Sequence, residues 1–119
     1  MKILLVDDSK AMRMIVLRTL RQSGFGDAQT VEAEDGAQGL AMVQAESPDL
    51  ILSDWNMPNM TGIEFLQALR GAGISTPFGF VTSESTPTMR EQAIESGASF
   101  LIAKPFTETS FQAAIAGAV

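Results

Sequence analysis

The sequence has no cysteine, no histidine and no tyrosine among its 119 residues. Without cysteine, disulfide bonds, thiolate catalysis and cysteine-ligated metals are excluded, and without histidine, His-dependent triads, histidine-ligated metals and a self-phosphorylating histidine are excluded. Basic residues are also scarce, because 8 Lys and Arg stand against 14 Asp and Glu for a formal net charge of -6. This balance argues against nucleic-acid binding, which needs clustered cations. Any chemistry must therefore use carboxylates, hydroxyls, lysine or arginine.

Long hydrophobic runs are missing as well. The first apolar run covers only residues 3–6 and is followed by Asp7 and Asp8, so it is neither a signal-peptide core nor a membrane span. We therefore expect a cytoplasmic protein that does not contact a membrane. The length of 119 residues and the hydrophobic content of 45% predict one domain, residues 1–119, without an attached output domain.

Five short apolar runs alternate with helical patterns, which is typical of repeated βα units around a parallel sheet. The runs are residues 3–6, 29–33, 50–53, 78–82 and 100–103. They mostly lack strict polar alternation, as expected for strands buried on both faces. The clearest apolar stripe at helical spacing between them comprises Met12, Ile15, Val16, Thr19 and Leu20. The sequence therefore predicts an α/β fold with five parallel strands and five helices.

Helix boundary signals agree with this pattern. Thr61 and Glu64 have the spacing of a capping box, and Thr86 before Pro87 fits the N-cap and the first helical position. Gly97 stands where a glycine commonly follows a helix end.

Polar residues follow four of the five predicted strands. They are Asp7 and Asp8 after the first, Asp54 after the third, Thr82 at the end of the fourth and Lys104 after the fifth. The carboxyl ends of the strands border the ligand crevice in a doubly wound sheet, so these side chains should meet at one rim. Each residue alone is more simply explained as a cap, a turn residue or a solvated charge. Together, however, three carboxylates would repel one another and require a divalent cation and a basic partner.

Oxygen ligands without histidine or cysteine favour Mg²⁺ or a similar ion. Lys104 adds a fixed positive charge, and such a set would stabilise the equatorial oxygens of a phosphoryl group in transfer. Asp54 is the candidate nucleophile because it stands alone after the central strand, whereas Asp7 and Asp8 are paired as ligands should be. The sequence therefore predicts phosphoryl transfer to a carboxylate.

These residues, with the segment Asp-Trp-Asn-Met-Pro-Asn-Met at 54–60, Gly62 and Pro105, strongly resemble the receiver domain of two-component response regulators. The resemblance covers essentially the whole chain, which is most similar to the single-domain chemotaxis regulators. It implies a flavodoxin-like doubly wound sheet with strand order 2-1-3-4-5. It also implies a phosphorylation-activated signalling switch rather than an enzyme, whose own chemistry is limited to phosphorylation from a donor and autodephosphorylation.

The resemblance assigns roles to individual residues. Asp54 would be the phosphoacceptor, and Mg²⁺ would be bound by the three aspartates and the main-chain carbonyl of Asn56. Lys104 would contact the phosphoryl group, and Thr82 would be the switch hydroxyl. The tuning positions that border the site are Asn56, Ser83 and Glu84. The bond between Lys104 and Pro105 is expected to be cis.

One position departs from the family pattern. Leu101 stands where the family has a tyrosine or phenylalanine that moves inward with Thr82, and Phe100 falls one position early. Side chains alternate across a strand, so Phe100 should face the other way. Two interpretations stay open, in which Leu101 either only packs against the fourth helix or retains a weaker rotamer switch.

The first helical segment carries half of the basic residues, namely Lys10, Arg13, Arg18 and Arg21. A solvated helix face is the simpler explanation of these charges, because a charge run on an amphipathic helix is ordinary. The resemblance nevertheless implies that a histidine kinase docks on this helix. The favoured downstream effector is a flagellar motor or chemotaxis component, and the protein is expected to be a monomer. The alternative is a phosphorelay intermediate or another stand-alone receiver outside chemotaxis.

Three other classes fit the residues less well. An FMN-binding electron carrier on the same type of sheet needs a phosphate-binding loop after the first strand, where Asp7 and Asp8 would repel a phosphate. A phosphatase of the haloacid-dehalogenase kind has an acid two positions after its nucleophile, where this chain has Asn56. A degenerate receiver is disfavoured because the acidic pair, acceptor, hydroxyl and lysine are all present.

Overall fold

The computed structural model describes residues 1–118, in which five strands and five α-helices alternate. The strands β1 to β5 span Lys2–Val6, Gln29–Ala33, Leu50–Ser53, Phe78–Thr82 and Phe100–Ala103. The helices α1 to α5 span Lys10–Leu20, Gly36–Glu46, Gly62–Gly71, Pro87–Glu95 and Glu108–Ala118. After α1 the chain makes one further turn, Arg21–Phe25, in which Gly24 has a φ of +95°, outside the helical range. Four strands have their predicted bounds and β1 begins one residue earlier, while the last position of the predicted domain range, 119, lies outside the described residues.

The strands form one parallel sheet in the order β2-β1-β3-β4-β5, which confirms the predicted topology. The register places Val6 beside Ser53, so β1 and β3 end at the same level. Main-chain hydrogen bonds continue past the strand ends, since Asp54 N donates to Val6 O at 2.9 Å and Lys104 N donates to Thr82 O at 2.7 Å. The residues after the strands are therefore held at the C-terminal ends of the strands, which we call the carboxyl edge of the sheet.

Apolar residues cover both faces of the sheet, because alternate strand side chains point to opposite sides. One face packs against α2, α3 and α4. The core layer formed there has fully buried members that include Leu4, Ile51, Phe65, Phe78 and Phe80. The other face packs against α1 and α5, and its fully buried members include Ile3, Leu50, Phe111 and Ile115. Burying one such side chain contributes about 1.5–3 kcal/mol, so the two layers together hold the site edge in place.

The helix boundaries follow the sequence signals. Thr61 and Glu64 form the capping box, and the Thr86 side chain accepts a hydrogen bond from Met89 N at the start of α4. Gly97, which follows α4, has a φ of +102°, a conformation that a glycine adopts without the penalty a Cβ would bring. The Lys104–Pro105 peptide bond is cis, as expected.

The predicted apolar stripe of α1 is wrong at Ile15, whose side chain is 42% exposed. Arg13 is buried instead, at 8% exposure. Its Nη1 donates to the main-chain oxygen of Asp7 and its Nε donates to Glu32 Oε1 at 2.8 Å. Arg13 and Ile15 flank the same helix face, and Arg13 occupies the buried flank because acceptors for its guanidinium are available there.

Candidate functional site

An acidic cluster lies at the carboxyl edge of the sheet, where Asp7 and Asp8 follow β1 and Asp54 follows β3. Each residue offers a carboxylate oxygen, and these oxygens lie within 4.8 Å of one another. Oxygens bound to Mg²⁺ at about 2.1 Å are themselves about 3–4 Å apart, so small side-chain rotations would bring the three into a coordination shell. Asp7 is buried, Asp54 is partly buried and Asp8 is exposed, which leaves one side of the cluster open to solvent. The donor set therefore fits a hard divalent cation.

Lys104, directly after β5, places its ammonium beside this cluster. Its Nζ lies 3.6 Å from Asp7 Oδ2 and 3.8 Å from Asp54 Oδ2. The lysine side chain is itself mostly buried, with 16% exposed. One positive charge thus faces the buried carboxylate of Asp7 and the partly buried carboxylate of Asp54.

Burial raises the pKa of both Asp7 and Asp54 above the usual aspartate value. The positive charge of Lys104 lowers the pKa of both carboxyls, but its effect is smaller than that of burial. The negative charge of Asp8 adds to the increase in the pKa of each. The protein's own groups therefore leave the cluster short of positive charge, which is the condition under which a bound cation is most favourable.

The two oxygens of Asp54 have different surroundings. Oδ1 accepts a hydrogen bond from the Trp55 main-chain N–H at 2.7 Å, whereas Oδ2 faces Lys104. Oδ1 is therefore occupied by a main-chain donor, and Oδ2 is the oxygen that the lysine ammonium faces. The Trp55 ring packs on Phe80, with 4.7 Å between ring centroids, so the indole is held next to the site.

Thr82, the last residue of β4, is fully buried. Its Oγ1 accepts a hydrogen bond from the main-chain N–H of Glu84 at 3.3 Å. Three of the predicted site residues, Asn56, Ser83 and Glu84, are exposed on the loops that follow β3 and β4. These loops leave the sheet at the same edge as the acidic cluster.

Leu101 is buried at 8% exposure in the core cluster that contains Ala93 of α4. Its main-chain oxygen accepts a hydrogen bond from Arg90 Nη1 at 3.3 Å. Phe100 belongs to the cluster on the other face of the sheet, as the alternation of side chains predicts. Leu101 therefore packs against α4. The ring of Phe100 lies on the opposite face of the sheet and does not substitute for an aromatic side chain at position 101.

The expected basic face of α1 is smaller than the sequence indicates. Lys10, Arg18 and Arg21 are exposed, but Arg13 is buried and contacts the end of β1. Placing Arg13 on the docking face was wrong, because its guanidinium binds acceptors within the protein. Three cations therefore remain on the outer face.

Two further residues near the site were not singled out from the sequence. Asp35, buried at 6% exposure, accepts a hydrogen bond from Asn59 Nδ2 at 2.9 Å, which joins the loop after β2 to the loop after β3. Asp35 could have been found as a helix N-cap, because it precedes a helical pattern. Its bond to Asn59 has no sequence signal.

A family model and two curated relatives all match this chain to receiver-domain proteins. The family model described as the response regulator receiver domain matches residues 3–116. The chemotaxis protein CheY of Pseudomonas aeruginosa is 40% identical over 109 residues, covering 90% of this chain and 86% of that protein. CheY-3 of Vibrio cholerae is 38% identical over 114 residues, covering 94% of this chain and 86% of that protein.

Solved structures of receiver-domain proteins also superpose on nearly the whole chain. The structure of chemotaxis protein CheY4 of Vibrio cholerae superposes with a TM-score of 0.86 at 34% identity, covering 99% of this chain and 98% of that chain. The receiver domain of the putative regulator NarL of Mycobacterium tuberculosis gives a TM-score of 0.86 at 31% identity, covering 97% and 92% of the two chains. Within residues 1–118, no helix combines the length and the apolar character needed to cross a membrane.

Proposed function

Because this chain belongs to the family of response regulator receiver domains, we propose that it is a phosphorylation-activated switch of a chemotaxis-type two-component system, with Asp54 as phosphoacceptor. The observation that carries the proposal is the cluster of Asp7, Asp8 and Asp54 beside the Lys104 ammonium. The main-chain carbonyl of Asn56 would complete the protein ligands of a Mg²⁺ ion. When bound, that ion supplies positive charge to the oxygens of the transferring phosphoryl group.

The reaction begins at Asp54. Its Oδ2 forms a bond to phosphorus while the phosphorus–nitrogen bond of a phosphohistidine breaks, and the imidazole nitrogen leaves with the electron pair. The Trp55 N–H holds Oδ1, so the carboxylate does not need to reorient as the bond forms. Lys104, which faces Oδ2, would pair with an oxygen of the transferred group.

The switch follows from the new group at Asp54. A phosphoryl group brings additional charge and acceptor oxygens to a partly buried position, and the Thr82 hydroxyl is the donor that would turn toward it. Moving that hydroxyl breaks its bond with Glu84 N, so the loop after β4 changes with it. Glu84 and Asn56, both exposed at this edge, would tune hydrolysis, and Ser83 would limit the entrance.

The partners follow from the same proposal. A histidine kinase donates the phosphoryl group. Three exposed cations, Lys10 and Arg18 of α1 and Arg21 directly after it, would steer an acidic surface of that kinase toward the site. The phosphorylated form then docks to an effector, for which a chemotaxis or flagellar motor component is favoured.

Intact-mass measurement after incubation with acetyl phosphate tests the acceptor directly. We expect one phosphoryl adduct that depends on Mg²⁺ and is lost in Asp54→Asn, with a parallel change in Trp55 fluorescence. Asp49→Asn is a matched control, because Asp49 lies before β3, at the opposite edge of the sheet. An adduct that persists in Asp54→Asn would assign the acceptor elsewhere. A wild-type protein that responds to Mg²⁺ but forms no adduct would indicate a receiver that has lost its chemistry.

Leu101 favours a second candidate, a phosphorelay intermediate or stand-alone receiver outside chemotaxis, because it lacks the aromatic ring at this position. A relay protein passes its phosphoryl group to a histidine phosphotransfer domain. Transfer of radiolabelled phosphate from the phosphorylated protein to such a domain, faster than its hydrolysis, would support this candidate. Hydrolysis alone would favour the chemotaxis-type switch.

A further inference from the structure

A buried carboxylate outside the acidic cluster joins two loops at the carboxyl edge of the sheet. Asp35 follows β2 and is the N-cap of α2, where its Oδ1 accepts a hydrogen bond from Gln38 N at 2.8 Å. Its Oδ2 accepts a hydrogen bond from Asn59 Nδ2 at 2.9 Å. Both oxygens are therefore used, and one of them is used for a residue 24 positions away.

Asn59 belongs to the loop of residues 54–61, which begins at Asp54 and carries Asn56. It has a φ of +66°, in the left-handed region that asparagine tolerates better than most residues. The loop is closed on itself by hydrogen bonds from Met60 N to Pro58 O and from Gly62 N to Trp55 O. In the described part of the chain, the Asn59 bond is the one side-chain hydrogen bond that joins residues 56–60 to another element.

A second contact brings the same two segments together. A Cβ added to Gly36, the first residue of α2, would lie 2.8 Å from Met60 Cγ, so the α2 backbone rests directly against the Met60 side chain. The start of α2 thus supports the loop at two adjacent positions, Asn59 and Met60.

We propose that Asp35 and Asn59 are positioning residues for the metal site, because their hydrogen bond fixes the loop that carries the Asn56 carbonyl. This inference rests on the proposed function for the identity of that fourth ligand. Residues beyond the ligands commonly set metal affinity by orienting them. Here the orienting contact acts on the backbone of the loop, and it comes from the edge strand β2, which supplies no ligand itself.

The ionisation of Asp35 strengthens this bond. Its hydrogen bonds from Gln38 and Asn59 hold the pKa of the Asp35 carboxyl below its usual value. The carboxylate is therefore charged at neutral pH, and hydrogen bonds to a charged acceptor are about twice as strong as those between neutral groups.

Four variants distinguish an effect of the Asp35–Asn59 hydrogen bond on Mg²⁺ binding from a general loss of stability. Asn59→Gly removes the amide and keeps the left-handed backbone conformation, and Asn59→Asp places two carboxylates face to face. Asp35→Asn combined with Asn59→Asp restores a hydrogen bond in the reversed direction at unchanged net charge, while residue 35 keeps an oxygen for the α2 cap. Val43→Ala is the matched control, because Val43 is a buried residue of the same helix, far from the cap.

The measurement is the Mg²⁺ dissociation constant from the Trp55 fluorescence titration, with the melting temperature recorded for each variant. We expect both Asn59 single variants to raise the dissociation constant about 10-fold, the low end for residues that orient metal ligands. The exchanged pair should return it to within about twofold of wild type by restoring the bond. Val43→Ala should lower the melting temperature without changing Mg²⁺ affinity.

Unchanged Mg²⁺ affinity in both Asn59 variants would overturn the inference, as would an exchanged pair that binds Mg²⁺ no better than Asn59→Asp. A wild-type protein with no Mg²⁺ response would overturn both this inference and the metal site of the proposed function. Weakened Mg²⁺ binding in the Asn59 variants, with no phosphoryl adduct on the wild-type protein, would overturn the proposed function and leave the positioning role standing.

Discussion

Lys104 carries the positive charge that the proposed mechanism uses in both metal binding and phosphoryl transfer. Its ammonium faces Asp7 and Asp54. In the proposed mechanism it would compete with a metal ion for these carboxylates and would later pair with an oxygen of the phosphoryl group. We expect Lys104→Met to lower the phosphorylation rate with acetyl phosphate about 100-fold, the usual loss for one preorganised charge stabiliser. The dissociation constant for Mg²⁺ should fall rather than rise, because a competing cation is gone.

Intact-mass time courses and Trp55 titrations measure the two quantities separately. Lys10→Met, at an exposed lysine next to the site edge, is the control for loss of positive charge. A weaker Mg²⁺ affinity in Lys104→Met would show that the lysine supports the metal site and does not compete with it.

Asp35 gives a pH dependence with a defined sign. Its pKa in the folded protein lies below the usual 3.8, so its stabilising effect is complete above that pH and is lost as the pH falls through the folded-state value. We expect wild type to be more stable than Asp35→Asn at pH 7, with a difference that shrinks below about pH 3.8. Urea unfolding at several pH values measures this, and a difference independent of pH would contradict it.

Arg13 shows the limit of sequence reasoning at the scale of a residue. Position after an apolar run is a local feature, so the sequence identified Asp7, Asp54 and Lys104, which the structure brings together. The direction of one arginine on a helix depends on acceptors that other segments supply. Glu32 lies on β2, and no feature of the α1 sequence indicates that it is within reach.

At the scale of elements, the start of α3 is fixed against the site by a glycine. A Cβ at Gly62 would lie 2.2 Å from the Asp54 main-chain oxygen and 2.8 Å from a ring carbon of Phe80. We expect Gly62→Ala to destabilise the protein by about 1–3 kcal/mol, the usual effect of overpacking. It should also slow phosphorylation, because the clash displaces the Asp54 backbone.

Gly71→Ala is the matched comparison for this prediction. Gly71 ends the same helix, and a Cβ there would meet no atom within 4 Å. Alanine should therefore stabilise the protein by about 0.5–1 kcal/mol through its better helix propensity. Urea unfolding and intact-mass time courses on both variants measure the effects, and equal effects at the two glycines would contradict the steric explanation.

Elements were predictable to different degrees. All five strands and the capped starts of α3 and α4 follow from local patterns, and the structure confirms them. Contacts between elements were not predictable. Arg70, at the end of α3, donates hydrogen bonds to the main-chain oxygens of Ile74, Thr76 and Gly97, yet its sequence neighbourhood is that of an ordinary solvated helix end. Carbonyl acceptors carry no signature in the sequence.

At the scale of the whole molecule, two core layers pack on opposite faces of one sheet. A substitution that destabilises one layer should therefore lower the unfolding free energy of the whole domain. Phe65 of α3 and Phe111 of α5 lie in opposite layers, and both are fully buried. We expect Phe65→Ala and Phe111→Ala each to cost about 3–5 kcal/mol of unfolding free energy. Each should still unfold in one cooperative transition.

Trp55 makes this cooperativity measurable, because its ring packs in the Phe65 layer only. Denaturant curves from Trp55 fluorescence and from far-UV circular dichroism should coincide in both variants. A fluorescence midpoint that stays at the wild-type value in Phe111→Ala would show that the two layers unfold independently.

The architecture was predictable because short apolar runs that alternate with helical patterns exclude most other fold topologies. Buried parallel strands need apolar runs, and right-handed crossovers limit how such strands can be connected. The observed order β2-β1-β3-β4-β5 agrees with the order that the family resemblance implies.

The two edges of the sheet differ in a way that is useful for handling the protein. The residues proposed to bind Mg²⁺ or the phosphoryl group lie at the carboxyl edge or on its loops. The turn between α3 and β4 lies at the amino edge and carries the exposed Ser75. Because the sequence contains no cysteine, Ser75→Cys gives a molecule with a single thiol. Coupling through that thiol would immobilise every copy in one orientation, with the carboxyl edge and its acidic cluster turned toward the solution.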